Sequence, residues 1–375
     1  MILPTLKDAP SLRGKRVLLR LNLDLPVENG ELRDTFRIDS TMKTVDFLRE
    51  QKAKTIIIGH IGRNPKETLR PVYDYFKKSI SITFVETIEE AKESSATLAE
   101  GEFLLLENLR SFPGEVTNDQ VFAKDLASLA DLYVNEAFAV SHREHASIVG
   151  VPKLLPSFAG FVFEEEVTQL SKAFSPAHPA LLILGGAKFE TKTPLIERFL
   201  GIADDVYVGG ALANDIFHSR GYETGDSLVS NCDISPAILN NPKLHTPSDV
   251  LVRIPSGTVE KGADAVLKGE KIVDAGEDSI DDMRALISKA KFVLWNGPLG
   301  EYEAGFDAGT IALAQMLAEC DAETIIGGGD SLAVVSKLNI TERFSFVSTG
   351  GGAMLEFLAN ETLPGIDALQ KAFSV

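Results

Sequence analysis

A chain of 375 residues exceeds the size at which one core keeps growing, so two domains are expected, and a formal charge of −17 argues against nucleic-acid or anionic-membrane partners, which need a basic face. The two cysteines, Cys232 and Cys320, are too few for a disulfide framework and lack metal-ligand spacing. No apolar run approaches a membrane span, and the first residues lack the basic-then-apolar layout of a secretory signal, so a cytoplasmic protein is expected.

Strand-like and helix-like segments alternate along the chain. Residues 17–25 read as a strand and 37–51 as an amphipathic helix. Short apolar strands follow at 55–59, 103–106 and 132–135, with helical spacing at 69–78 and 119–130. An acidic amphipathic stretch at 161–174, bounded by Gly160 and by Ser175-Pro176, reads as a helix joining two domains. The alternation resumes with strands at 181–184, 206–208, 250–254, 292–295, 324–326 and 344–347. Helices at 194–200, 211–219, 280–289, 310–318, 332–338 and 354–359 separate or follow them. This is the pattern of an α/β protein with two doubly wound parallel-sheet domains, whose ligands sit at the C-terminal ends of the strands.

The residues at those ends differ between the halves. The first half offers cations: Arg20, Arg37, His60, Arg63, Arg110, and His142, Arg143 and His145 in Ser141-His142-Arg143-Glu144-His145. A single arginine is ordinarily a solvated surface charge, but several at one topological edge make a funnel for a small polyanion. The histidines lack the carboxylate-rich spacing of a metal centre. The second half offers glycine instead, in Gly185-Gly186-Ala187-Lys188 with Lys192 four residues on, in Gly209-Gly210, and in Asn296-Gly297-Pro298 with Glu303 beyond it. Two apolar strands near the C-terminus run into Gly327-Gly328-Gly329-Asp330-Ser331 and Ser348-Thr349-Gly350-Gly351-Gly352. Glycine turns that open a helix expose backbone N–H groups at its positive end, where phosphate binds. None of these turns is Gly-x-x-x-x-Gly-Lys-Ser/Thr, and no Gly-x-Gly-x-x-Gly follows the first strand, which disfavours a P-loop or a dinucleotide enzyme. Cations in one half and phosphate-cradling glycines in the other suit direct phosphoryl transfer, in which positioning and charge neutralisation replace a protein nucleophile.

These ordered runs resemble phosphoglycerate kinase over essentially the whole chain. The resemblance implies reversible phosphoryl transfer from 1,3-bisphosphoglycerate to MgADP in glycolysis, giving 3-phosphoglycerate and MgATP after hinge closure, by a monomer. It implies that Arg20, Asn22, Asp24, Arg37, His60, Arg63, Arg110, His142, Arg143 and His145 bind phosphoglycerate, Arg37 touching the migrating group. Lys188, Lys192, Gly328 and Gly351 would join Arg37 in catalysis. Gly186, Ala187, Lys192, Gly209, Gly210, Asn296, Pro298, Glu303, Gly328, Gly329, Asp330 and Ser331 would bind nucleotide, with Asp330 holding Mg²⁺. The implied domains are a phosphoglycerate-binding domain at 1–158, an interdomain helix at 159–174 and a nucleotide-binding domain at 175–354. A tail from about 355 to 375 would return to the first.

One motif departs from the family's Arg-x-Asp-x-Asn-x-Pro. Here Arg20-Leu21-Asn22-Leu23-Asp24-Leu25-Pro26 exchanges amide and carboxylate. An ionised carboxylate only accepts hydrogen bonds, whereas an amide also donates. The exchange keeps both contacts through a small backbone shift, weakens substrate binding, or leaves Asp24 a structural role. The alternative function is a nucleotide-binding protein that has lost turnover. The residues at 251–255 also depart from the family's usual strand and loop.

Overall fold

A computed structural model describes residues 3–33, 35–230 and 232–373. The chain forms two compact units, one of Met1–Thr168 with Thr362–Val375 and one of Gln169–Glu361.

In the first unit, β1 (Arg16–Arg20) is followed by a small hairpin, β2 (Val27–Glu28) with β3 (Glu31–Leu32), and by α1 (Phe36–Glu50). Then come β4 (Lys54–Ile58), α2 (Arg70–Phe76), β5 (Ile82–Val85), α3 (Ile88–Thr97), β6 (Phe103–Leu106), α4 (Pro113–Val116), α5 (Gln120–Ser128), β7 (Leu132–Asn135) and β8 (Ser157–Ala159). The strands form one parallel sheet in the order β5-β6-β4-β1-β7-β8. Its central strands are apolar on both faces: Val17, Leu18 and Leu19 are wholly buried, as a sheet covered by helices on each side requires. Helix α1 buries Ile38, Thr41, Val45 and Leu48, a single stripe at helical spacing, and Asp119 caps α5 by accepting from the amides of Val121 and Phe122.

The strand expected over 17–25 ends at Arg20. Arg20 pairs with Ile58 and Asn135, the last residues of β4 and β7, so beyond it no ladder partner remains. Leu21, Leu23 and Leu25 stay buried although the chain has left the sheet.

Helix α6 (Phe161–Ser171) runs across the boundary between Thr168 and Gln169. In the second unit, β9 (Ala180–Leu184), α7 (Thr193–Ile202), β10 (Asp205–Val208), α8 (Ala211–Ser219) and α9 (Pro236–Leu239) come first. They precede β11 (Leu244–His245), β12 (Asp249–Ile254), β13 (Gly257–Gly262), β14 (Lys271–Ala275) and α10 (Glu277–Ile287). Last are β15 (Phe292–Asn296), α11 (Ala308–Glu319), β16 (Glu323–Gly327), α12 (Gly329–Lys337), β17 (Phe346–Val347) and α13 (Gly352–Asn360). The parallel sheet has the order β11-β10-β9-β15-β16-β17.

Strand β12 corresponds to the one expected at 250–254, but it belongs to a separate antiparallel sheet, β13-β12-β14. Only Pro255 and Ser256 link β12 to β13, too short a connection for a parallel crossover. Residues 355–361 pack with the second unit through α13, and the segment grouped with the first unit begins at Thr362. It carries α14 (Pro364–Phe373), whose Ala368 joins a small cluster with Ala137, Val140, Ile148 and Val149. Met1, Ile2, Ser374 and Val375, within the expected first domain and its tail, lie outside the described residues.

Candidate active site

The first unit gathers its cations where β1, β4, β6 and β7 end. Arg20, the last residue of β1, is fully buried, and each of its three guanidinium nitrogens donates to a neighbour. Nε donates to Ser147 Oγ at 3.0 Å, Nη1 to the Leu21 carbonyl, and Nη2 to His60 Nδ1 at 2.7 Å. His60 lies two residues beyond β4 and is 1% exposed, with Nε2 3.8 Å from Asp24 Oδ2. Burial, reinforced by Arg20, Arg110, Arg143 and His145, drives its pKa far below the ordinary histidine value. His145 is pushed down to about 4 by burial and by Arg143 and Arg20, so both imidazoles are neutral at pH 7.

Asn108 holds the neighbouring loop by donating to the carbonyls of Ile61 and Glu67, and Arg110 donates to the carbonyl of Gly62. Burial, then Arg143, depresses the Arg110 guanidinium, with Asp24 opposing and Arg63 adding to the crowding of positive charge. Arg143 Nε donates to His142 Nε2 at 3.4 Å. Arg37, in the first turn of α1, donates from Nη1 to the Asp24 carbonyl at 3.0 Å, and Arg63 is exposed. Arg20, His60, Arg110, Arg143 and His145 are thus brought together with Asp24, and of the arginines Arg20 is the one wholly buried. The Asp24 carboxylate accepts from the Gly62 amide at 2.8 Å, which gives it a loop-holding role, while Asn22 is buried.

Two residues of this cluster carried no functional signal in the sequence. Glu115 is wholly buried and accepts from Ser147 through Oε1 at 2.6 Å and Oε2 at 2.9 Å. Nothing in the local pattern around Glu115 separates it from a surface glutamate. Ser147 stands two residues beyond His145, and nothing in its neighbours along the chain marks it.

In the second unit, a cavity of about 360 Å³ opens at the ends of β9, β10 and β15, within the range of small-ligand sites. Of the residues expected to bind nucleotide, Gly186, Ala187, Gly210, Pro298, Glu303 and Asp330 line it. The rest lie beneath or beside it. Lys192 is 6% exposed, its ammonium donating to the Gly185 carbonyl at 2.5 Å, and burial lowers its pKa to about 8 against the opposing pull of Asp330. Asn296 is buried 3.5 Å from that ammonium, and Ser331 Oγ accepts from the Gly297 amide at 2.9 Å. Gly209 packs under Leu299. Gly328 precedes α12 and Gly351 precedes α13, both at positive φ; Gly329 is the first residue of α12. Gly210 stands in the same position before α8, at φ +61°, where a Cβ would meet the Gly186 amide and the Pro298 carbonyl at 2.8 Å. Exposed Lys188 holds φ +65°, a left-handed conformation that a side chain rarely adopts.

The remaining wall is largely apolar, with Leu228, Ile272, Val273, Leu299 and Tyr302, and includes Asn214 and Asp274. Asp274 is 3% exposed; burial raises its pKa to about 6, although its carboxylate accepts from the amides of Gly309 and Ala275. An aspartate between Val273 and Ala275 in an apolar strand was a legible signal that the reading of motifs passed over.

Among the described residues no three His, Cys, Asp or Glu side chains group as a metal cage. Asp330, an exposed carboxylate at the cavity wall beside the start of α12, fits Mg²⁺ of the kind that takes one protein ligand and completes its shell with phosphate oxygens and water.

A family model described as phosphoglycerate kinase matches residues 6–361. The chain is 39% identical to the phosphoglycerate kinase of Pseudothermotoga lettingae over 97% of its own length and 98% of the relative's. It is 37% identical to that of a Wolbachia from Drosophila simulans, over 99% of each chain. Among solved structures it is similar to phosphoglycerate kinase from Coxiella burnetii, with a TM-score of 0.85 and 33% identity over 99% of each chain. The enzyme from Pyrococcus horikoshii gives the same TM-score at 30% identity, over 99% of this chain and 100% of that one.

Proposed function

The chain belongs to the phosphoglycerate kinase family and is a phosphotransferase, and on that premise we propose how its residues divide the reaction. The guanidinium cluster of the first unit takes the phosphoglycerate, with Arg63, Arg110 and Arg143 neutralising its charge and the neutral rings of His60 and His145 supplying directional contacts. The cavity of the second unit takes the nucleotide: Leu228, Leu299 and Tyr302 against the base, the α8 and α12 amino ends and Lys192 toward the phosphates. Asp330 holds the nucleotide's Mg²⁺, which when bound neutralises phosphate oxygens.

After hinge closure, the bond from the acyl phosphate's carboxyl oxygen to phosphorus breaks as one forms to the terminal oxygen of ADP. The carboxylate leaves as 3-phosphoglycerate, and no protein atom is phosphorylated. Arg37 and Lys188 neutralise the equatorial oxygens of the migrating group, and the amides after Gly328 and Gly351 receive it. A cytoplasmic monomer is part of the proposal, the compartment on the strength of the composition and the monomeric state on that of the resemblance.

The observation that best supports this reading is the contrast in linings: converging arginines at the strand ends of one unit, glycine-started helices around a cavity in the other. The test is a coupled assay of ADP formation from MgATP with 3-phosphoglycerate. Turnover that needs both substrates is expected; tight nucleotide binding with no phosphoglycerate-dependent turnover would leave only the non-catalytic alternative.

A further inference from the structure

We propose that Arg20 is a positioning residue: it fixes His60 as a neutral imidazole whose only ring proton is on Nε2, held ready for an oxygen of the incoming phosphoglycerate. The inference rests on the reading that this cluster takes phosphoglycerate, and it assigns Arg20 a place behind the substrate instead of against it.

The argument begins with a donor count. A guanidinium has five N–H donors and no acceptor. The 2.7 Å contact between Arg20 Nη2 and His60 Nδ1 therefore makes Nδ1 the lone-pair nitrogen. The ring proton of a neutral His60 must sit on Nε2, and a second proton on Nδ1 would set N–H against N–H. Arg20 is held against turning away, because it is fully buried and two of its other donors go to Ser147 Oγ and the Leu21 carbonyl.

Its charge is balanced one hydroxyl away. Ser147 Oγ takes the Arg20 Nε–H and donates its own proton to Glu115 Oε1, while the Ser147 amide donates to Oε2. Both carboxylate oxygens accept, as an ionised glutamate does. Glu115, Ser147, Arg20 and His60 are thus a directed relay from α4 to the loop after β4.

At the far end, His60 Nε2 is buried without a hydrogen-bond partner among the described residues, and Asp24 Oδ2 at 3.8 Å is too distant to serve. A buried donor left unmade is unfavourable, so the site lacks an acceptor that an anionic ligand brings. The charged and titratable groups around the ring are Arg20 on β1, Asp24 in the following loop, Arg110 after β6, and Arg143 and His145 after β7. Three cations against one carboxylate oppose protonation of the ring, and burial acts in the same direction.

The test is a ¹H–¹⁵N correlation spectrum of the imidazole rings in ¹⁵N-histidine-labelled protein without substrate, with His60 assigned by its loss in His60→Gln. The expected result is an Nε2–H tautomer that does not titrate between about pH 5 and pH 8. A titrating ring, or a proton on Nδ1, overturns the proposal. Arg20→Met alone strands Glu115 as a buried unpaired charge, so the informative variant is Arg20→Met/Glu115→Leu. There His60 is expected to titrate or to mix tautomers, and KM for 3-phosphoglycerate to rise about tenfold with a smaller fall in kcat. An unchanged His60 spectrum in that variant overturns the proposal.

A second pair reads the donor itself. The His60→Gln amide reaches the Nε2 position and should keep KM within a few-fold, while His60→Asn should not; equal KM values count against a donor at that place. Because the spectrum is recorded on the free protein, the expected tautomer without any binding of 3-phosphoglycerate supports the fixed proton and sinks only the functional reading.

Discussion

The ammonium of Lys192 lies 2.5 Å from the carbonyl oxygen of Gly185, folded inward against the turn that ends β9. A buried cation held by a neutral carbonyl is easily deprotonated, and its pKa stands at about 8 instead of the ordinary lysine value of 10.5. The charge proposed to meet a nucleotide phosphate therefore fades within reach of ordinary assay conditions. We expect KM for MgADP to rise several-fold from about pH 7 to about pH 9 as this proton is lost. Lys192→Arg keeps its charge over that range and should flatten the rise; a parallel rise in the arginine variant would assign the effect elsewhere.

Arg37, in the first turn of α1, anchors to the Asp24 carbonyl through one nitrogen among the described residues. Arg37→Ala should lower kcat by on the order of 10³-fold, the scale of a transition-state arginine. Steady-state kinetics in a coupled assay checks this, and unchanged turnover would remove Arg37 from the reaction.

Asp24 accepts the Gly62 amide and so steadies the loop that carries His60 and Arg63. An asparagine oxygen can take over that bond. Asp24→Asn is expected to leave KM for 3-phosphoglycerate within about twofold, whereas Asp24→Ala should destabilise the first unit by about 1 kcal/mol and raise KM several-fold. If Asp24→Asn proves as damaging as Asp24→Ala, the carboxylate charge matters more than the bond.

Asp274 carries a stability signature. Its pKa rises from 3.8 unfolded to about 6 folded, so between those values the folded state binds more protons than the unfolded one. Stability then falls as pH increases through that window, by on the order of 2–3 kcal/mol for this one group. Trp295 is the sole tryptophan and is fully buried in the core of the same unit, which makes its fluorescence the natural reporter in urea unfolding. The stability of wild type relative to Asp274→Asn should decline from about pH 4 to about pH 8. A difference that does not change with pH would show that the carboxyl titrates normally.

Much of this molecule is legible in one dimension. The apolar runs at 103–106, 132–135 and 181–184 become buried parallel strands because a sheet covered on both faces needs no alternation. Glycine pairs and triplets after such strands mark the helix starts around the cavity, because bare amides and positive φ are local properties of the backbone. The strand at 250–254 was visible, but its partners were not: a hairpin link, not the alternation of segments, decides that β12 runs antiparallel in a sheet of its own.

The order of apolar strands, helix starts and cationic residues determined the α/β architecture and the phosphate chemistry, since each of those signals is carried by neighbours in the chain. Only the tertiary structure decided which charges are buried and paired and which stay exposed. Arg20 becomes a buried anchor through Ser147, 127 positions away, and Glu115 and Asp274 acquire their roles through burial. Desolvation and hydrogen-bond pairing depend on contacts that the fold creates, and no spacing along the sequence encodes them.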